Sequence, residues 1–288
     1  MQTAEALINV SDQPELDRVA EPLSDAVRNI FASAGPAGQH VKNALHGVWL
    51  HHPLHPVLTD VPIGAWTAAL ALDCTGNDDR GRRDAATFAL GLGLLAALGA
   101  AVTGLTDWSE TQGRARRTGL VHGLLNIAAT SLMATAYVQR SRDDRANGRA
   151  CSWTGYGIAL AAAFLGGDLV YAQRIGVTHA DAEAPDDFTP VANSSALAEN
   201  SMIKARVGDA DILLARQQGR VYAMIHSCAH LGGPLSEGTL NEGSVVCPWH
   251  GSEFALEDGS VLNGPSTHSQ PCLIVRERNG RIEVKSAE

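Results

Sequence analysis

Only five cysteines occur in 288 residues. That odd, thin supply excludes a dense disulfide framework and leaves room for one bridge or one metal site. Aromatic residues are also scarce at 5%, and charged residues amount to 18%. With hydrophobic residues at 45%, the chain is still no disordered polymer. Positive charge is in deficit: the net charge is −9, so the basic footprint of a general nucleic-acid binder is missing and no nucleic acid is expected as a partner. The first 45 residues lack a continuous apolar core and carry Glu5, Asp12, Glu15, Asp17 and Glu21, which argues against a secretory signal. No internal repeat and no low-complexity tract is visible. Length alone suggests two domains at about 100–200 residues each. The mean hydropathy of −0.04 is the average of two unlike halves.

What the first half does have is long uncharged runs. Residues 85–106, 118–139 and 150–167 carry no formal charge and are rich in Ala, Leu and Gly. Since a bilayer core takes about 20 apolar residues in a helix, these read as spans. A fourth is read at 61–72, bounded by Asp60 and Asp73 and extended back through 56–59. Buried helices of a soluble bundle are the alternative, but those show a polar face that 85–106 lacks. Gly91, Gly93, Gly99, Ala128 and Ala129 suit close helix packing. After Pro22, Leu23, Ala26, Val27, Ile30 and Phe31 recur at helical spacing, predicting a short amphipathic surface helix. Four spans put the N-terminus, the 107–117 loop and everything after Arg174 on one side, with the 74–84 and 140–149 loops opposite.

Residues 175–187 read as an acidic linker. Beyond it, short alternating runs at 211–215, 221–225, 273–275 and 282–284 are separated by turn signals such as Gly208-Asp209, Gly219 and Asn279-Gly280, predicting a small all-β domain. The expected division is thus an amphipathic segment (1–45), a four-helix membrane domain (46–174), the linker and a β domain (188–288).

Inside the β domain stand Cys228-Ala229-His230 and Cys247-Pro248-Trp249-His250. Each segment offers one thiolate and one imidazole, so two facing loops present two sulfurs and two nitrogens to one inorganic centre. That donor set suits a [2Fe–2S] cluster with Cys on one iron and His on the other. Zinc competes, although structural zinc sites favour other spacings.

The stretch from Phe188 to Val284 resembles the Rieske ferredoxin family. Cys228-Ala-His230-Leu-Gly-Gly-Pro-Leu and Cys247-Pro-Trp-His250-Gly-Ser match both halves of its cluster-binding box, and Gly264-Pro265 matches its proline loop. The resemblance implies Cys228 and Cys247 on the first iron and His230 and His250 on the second, with Leu231, Gly232, Pro248, Trp249, Ser252, Phe254 and Pro265 around the cluster. It also implies that His230 and His250 lie at an exposed tip where a protein redox donor or acceptor docks. Members from bc-type complexes carry a further cysteine in each loop; here Gly232 or its neighbour and Trp249 hold those places, so that bridge is absent. Ser252 stands where a hydroxyl reaches a bridging sulfide, and Phe254 where high-potential members have tyrosine. A low-to-middling potential is the expectation. Rieske oxygenases need a second, mononuclear iron domain, for which no residues remain. Cys272, on a predicted strand, reads as a buried structural thiol.

The stretch His51-His52-Pro53-Leu54-His55-Pro56 and the four-helix pattern resemble a family of bacterial membrane proteins across roughly 45–173; the family supplies no mechanism. His55 opens the first span and His122 lies one turn into the third, at similar depth. Ionisable residues within spans are costly, and imidazole is a common haem or metal ligand. Three readings stand: His55 and His122 ligate haem or another metal; one of them helps bind a quinone; or the histidines are interfacial and His122 bonds across helices.

The fold class expected is therefore multidomain, an α-helical four-span membrane bundle followed by an all-β Rieske-type iron–sulfur domain. The function expected is single-electron transfer through a [2Fe–2S] cluster, anchored in membrane lipid of the bacterial plasma membrane. A membrane oxidoreductase with haem or quinone, and a redox sensor or assembly protein, are the alternatives. Seven basic residues flank the spans on the side away from the β domain and five on its own side, which by the positive-inside rule favours an outside β domain. Against this, cytoplasmic assembly of iron–sulfur clusters places the β domain inside.

Overall fold

The computed structural model describes residues 2–75 and 79–287; part of the expected 74–84 loop lies outside them. Two compact units emerge, Met1–Gly38 with Pro53–Ile175, and Gln39–His52 with Gly176–Glu288.

In the helical unit, α1 (Gln2–Ser11) and α2 (Asp17–Ser33) precede the long helices. A third helix, α3 (Gly35–His46), crosses from one unit into the other. Four helices are long and apolar enough to cross a membrane: α4 (Leu54–Cys74), α5 (Arg80–Ser109), α6 (Gly113–Ser141) and α7 (Arg145–Gly167), the last continued by a π-turn to Ala172. Asp79 caps α5, its carboxylate accepting from the Arg82 N–H at 2.9 Å, which occupies one of the donors orphaned at a helix start. Near the opposite end of α5, the Trp108 indole donates to the Arg116 carbonyl at 2.8 Å.

The amphipathic helix expected after Pro22 is present as part of α2. Ala20, Ser24 and Val27 are buried while Leu23, Ala26 and Ile30 are exposed. The helix also begins at Asp17 and includes Pro22. Small side chains on that face permit close approach to its neighbours, and Arg116 of α6 pairs with Asp17 and Glu21 of α2.

The four long helices form two hairpins, α4 with α5 and α6 with α7. These are two copies of one pattern, a repeat that the sequence conceals. The buried positions Pro62, Trp66 and Ala69 of α4 recur at the same spacing as Ala129, Met133 and Ala136 of α6. In the partner helices Leu90, Gly93 and Ala100 recur as Ser152, Gly155 and Ala162. Trp66 lies on Gly93, where an added Cβ would fall 2.3 Å from the indole nitrogen, and Met133 packs near Gly155, its Cε 3.6 Å from where a Cβ would stand. At one end of the pattern Asp73 and Arg140 occupy equivalent places and meet as a buried ion pair, with side chains 7% and 3% exposed.

The β unit contains a six-stranded antiparallel sheet from β1 (Thr189–Asn193), β2 (Ser201–Val207), β3 (Ala210–Gln217), β4 (Arg220–Ile225), β9 (Cys272–Arg278) and β10 (Arg281–Lys285), in the order β1-β10-β9-β4-β3-β2. A smaller sheet comprises β5 (Thr239–Asn241), β6 (Ser244–Val246), β7 (Glu253–Ala255) and β8 (Val261–Asn263) in sequence order. Two hairpins turn through Gln218-Gly219 and Asn279-Gly280, with positive φ at both residues, the backbone that suits tight two-residue turns. Ile212, Leu214, Met224, Phe254 and Ile282 are fully buried in the core between the strands.

Residues 39–52, placed by the sequence division across the amphipathic segment and the membrane domain, group with the β unit. The Asn43 amide donates to Asn263 Oδ1 at 3.0 Å, and its oxygen accepts from the Gly264 N–H at 3.0 Å. The ring of His52 meets that of His268 edge to face at 6.0 Å.

Candidate metal centre

Two loops, 226–235 after β4 and 247–252 between β6 and β7, carry the Cys and His residues singled out by the sequence. They fold alike. The Cys228 N–H donates to the Gly233 carbonyl and the Gly232 N–H returns to the Cys228 carbonyl, both at 2.8 Å. In the second loop the Cys247 N–H donates to Ser252 at 2.8 Å and the Gly251 N–H to Cys247 at 3.1 Å. Gly232 and Gly251 have φ of 77° and 74°, the left-handed backbone that glycine adopts without a Cβ penalty. Each turn aims backbone N–H groups at sulfur: those of His230 and Leu231 at Cys228, those of Trp249 and His250 at Cys247.

Both thiols are free and buried, 1% and 3% exposed. They share a hydrogen bond, which holds Cys228 above its ordinary pKa and draws Cys247 down to about 7. Gly233 has no room for a side chain, because a Cβ there would lie 2.7 Å from Cys247 Sγ. Opposite the thiols, the rings of His230 and His250 stand 5.1 Å apart at 87°. His230 Nδ1 is buried without a hydrogen-bond partner. Burial, reinforced by His250, His46, His179 and Lys42, keeps His230 well below its ordinary pKa.

The histidines do not form the open tip that was expected. Both are half-buried, and the Lys42, His46 and His179 charges act on His230 from the same unit. The His179 N–H donates to the Ala229 carbonyl at 3.0 Å, tying the first part of the 175–187 segment to the first loop. Pro248 and Trp249 are exposed, Trp249 by 56%. Ser252 is buried and its oxygen accepts from the Ser266 N–H at 3.0 Å. Phe254 lies wholly in the core and Pro265 is buried in the 264–270 loop. Cys272 is half-buried, and burial pushes its thiol up to about 11. Among the described residues no three His, Cys, Asp or Glu side chains converge on a single-ion site. The donors come instead as a Cys pair and a His pair.

In the helical unit, His55 and His122 are brought together, with ring centroids 6.3 Å apart at 86°. Cys74 and Cys151 are free thiols and form no bridge.

Residues 187–279 match the family model described as Rieske [2Fe-2S] domain. Over 79 residues the chain is 33% identical to "Ferredoxin CarAc" of Metapseudomonas resinovorans, covering 27% of this chain and 74% of that protein. The chain belongs to the Rieske [2Fe-2S] family. Residues 51–179 match a second family model, described as "Predicted membrane protein (DUF2231)". Over 92 residues the Rieske domain is 30% identical to "Apoptosis-inducing factor 3" of Homo sapiens; the match covers 32% of this chain and 15% of that protein's length. Among solved structures, a "Complex of reduced oxygenase and oxidized ferredoxin in carbazole 1,9a-dioxygenase" aligns at 28% identity and TM-score 0.33, over 34% of this chain and 92% of that one. The likeness to ferredoxins gives the Rieske domain an electron-transfer role.

Gln270, which no sequence signal marked, holds the first Rieske loop in place. Its amide donates to the carbonyls of Ile225 at 2.6 Å and Ser227 at 2.9 Å, and its oxygen accepts from the Ala229 N–H at 2.8 Å. The side chain is 1% exposed, so Gln270→Ala strands three backbone groups, the Ala229 N–H and Ile225 carbonyl buried and the Ser227 carbonyl partly so. Each costs about 1–3 kcal/mol when left unpaired. A lower denaturation midpoint of the Rieske domain and faster iron loss are the expected results.

Proposed function

We propose that the chain is a membrane-anchored Rieske electron carrier in which Cys228 and Cys247 hold one iron and His230 and His250 the other. The observation that carries this is the sorting of donors into two pairs, with His230 Nδ1 buried and unpartnered beside two buried free thiols. A lone buried imidazole nitrogen is costly, and a metal bond answers that cost. The cluster, when bound, supplies a one-electron couple. The chain's own groups tune it: backbone N–H groups directed at both sulfurs stabilise the negative charge gained on reduction. Leu231, Gly232, Pro248 and Trp249 form the walls, with Pro265 and Phe254 behind them. A protein redox partner docks beside His230 and His250, where Trp249 and Pro248 are the exposed neighbours.

The test is iron and sulfide analysis with a redox titration of the detergent-purified full chain. Iron and sulfide in equal amounts, with a single one-electron step at low-to-middling potential, are required; a potential in the bc-complex range overturns the tuning argument. Ser252 uses its oxygen to accept from Ser266, which leaves its O–H to donate toward the cluster. Ser252→Ala therefore lowers the midpoint potential while the loop stays folded, since hydrogen bonds to the sulfurs raise it.

The helices lie in the bacterial plasma membrane, with the Rieske domain on the cytoplasmic side where clusters are assembled. Cys74, an exposed thiol at the end of α4, decides the sidedness. It is reached by a membrane-impermeant thiol reagent in intact cells only if this orientation holds.

A further inference from the structure

The paired histidines of the helical unit have a geometry that interhelical packing alone does not require. His55 sits on α4 and His122 at the equivalent place on α6, so the two-hairpin repeat carries one imidazole per copy. Each ring is fixed in the same way. His55 Nδ1 meets the Ala100 carbonyl of α5 at 2.8 Å, and His122 Nδ1 meets the Ala162 carbonyl of α7 at 2.8 Å. Each ring also rests on a glycine of that neighbouring helix. A Cβ on Gly104 would fall 2.7 Å from His55 Cε1, and one on Gly166 would fall 3.2 Å from His122 Cε1.

These contacts set the tautomer. A carbonyl only accepts, so both Nδ1 atoms carry a proton, and in the neutral rings both Nε2 atoms keep their lone pair. The Asn126 amide donates to His122 Nε2 at 3.1 Å, consistent with that assignment, and also bonds the His122 carbonyl at 3.0 Å. Donation of the remote N–H to a backbone carbonyl is how metal-bound imidazoles are oriented.

We propose that His55 and His122 are the two axial ligands of a haem-type iron macrocycle bound between α4 and α6. The separation suits it. Two imidazoles bound through Nε2 on opposite faces of one metal, at ~2.0 Å each, have centroids roughly 6 Å apart, and the observed distance is 6.3 Å. Donor number points the same way. A bare ion wants about four ligands, and among the described residues no third His, Cys, Asp or Glu joins this pair. A macrocycle brings its own four nitrogens and asks the protein for two. Its two faces are alike, which matches a pair of ligands related by an internal repeat. Each ring keeps part of its surface outside the protein packing. Binding forms two Fe–N bonds and displaces two weakly held axial waters from the iron; neutral rings give up no proton, because each Nδ1 keeps its N–H on its carbonyl. Asn126 lets go of Nε2 and keeps its bond to the His122 carbonyl.

The full chain, made in haem-supplied cells and purified in detergent, is assayed for haem as the pyridine haemochrome and by reduced-minus-oxidised spectra. Low-spin, six-coordinate haem in amounts equal to the chain is expected. His55→Ala and His122→Ala should each cut occupancy at least about tenfold, with the Rieske signal in the same sample unchanged. His122→Met keeps a sixth ligand, so it should retain haem at a raised midpoint potential; this variant reads the site even if alanine unfolds the bundle. Failure of purified protein with an intact Rieske signal to take up added hemin overturns the proposal. So does haem whose spectrum and potential ignore all three substitutions, which would be adventitious binding. Either result leaves the Rieske reading standing, because the cluster is scored separately.

Discussion

Cys228→Ala and Cys247→Ala are each expected to abolish the cluster's visible absorbance and its reduced-state magnetic signal, and to loosen the whole Rieske domain. The two loops contain no regular strand and are held by the Cys–Gly turns and by Gln270. Removing one sulfur leaves two inward-facing backbone N–H groups without an acceptor, on top of the lost metal bonds. Structural metal sites contribute on the order of 10 kcal/mol to folding, so a domain of ordinary stability, about 5–15 kcal/mol, loses most of its margin. Limited proteolysis should cut first within residues 226–270. His122→Ala, by contrast, leaves the cluster signal untouched. A collapse of that signal would mean that the two units do not fold independently.

The second large effect lies at the other end of the helical repeat. Arg140→Ala leaves the Asp73 carboxylate buried without its bidentate partner, and an uncompensated buried charge costs about 3–5 kcal/mol. Arg149, whose Nε stands 3.6 Å from Asp73 Oδ1, is 43% exposed and offsets only part of this. Ser152, which accepts from Arg140 at 3.0 Å, loses its donor too. Substituting both members together, Asp73→Leu with Arg140→Met, should recover most of the loss, because a well-packed apolar pair replaces a buried ion pair at little cost. Thermal unfolding of the detergent-solubilised chain, followed by helix content, reads both variants. Equal destabilisation by the single and double substitutions would show that the ion pair holds register through its shape and not its charge.

The elements that sequence disclosed are those where one local rule dominates. Uncharged runs marked the four long helices because length and apolarity suffice to recognise a span. Alternation and Asn-Gly-type turns marked the strands, and two short motifs marked Cys228, His230, Cys247 and His250. Features that depend on tertiary placement stayed hidden. The hairpin repeat rests on a sparse set of positions, with loops of different length between the copies, so Trp66 stands where Met133 does and Asp73 where Arg140 does. Gln270 is an unremarked polar residue until the fold brings it under three backbone groups. The inward face of α2 is Ala20, Ser24 and Val27, and of these only Val27 stands out by apolar spacing, because Ala and Ser carry little hydrophobic signal. His230 and His250 carry the right chemistry, but their partial cover by residues from elsewhere in the same unit could not be read from the motif.

Asn43 and its neighbours have a consequence for how the protein is made. The unit that carries the Rieske loops is discontinuous: the ribosome delivers 39–52 before the first long helix and the remainder after the last. That unit closes only when a segment synthesised early has waited for strands synthesised late. If the intervening helices cross the bilayer, they must do so an even number of times, or the two pieces would emerge on opposite faces and never meet. Four crossings satisfy this, and so would two, which means the bundle can lose or gain a whole hairpin but not a single helix. A fragment trimmed to residues 187–279 omits the early segment and therefore lacks the Asn43 bonds to Asn263 and Gly264.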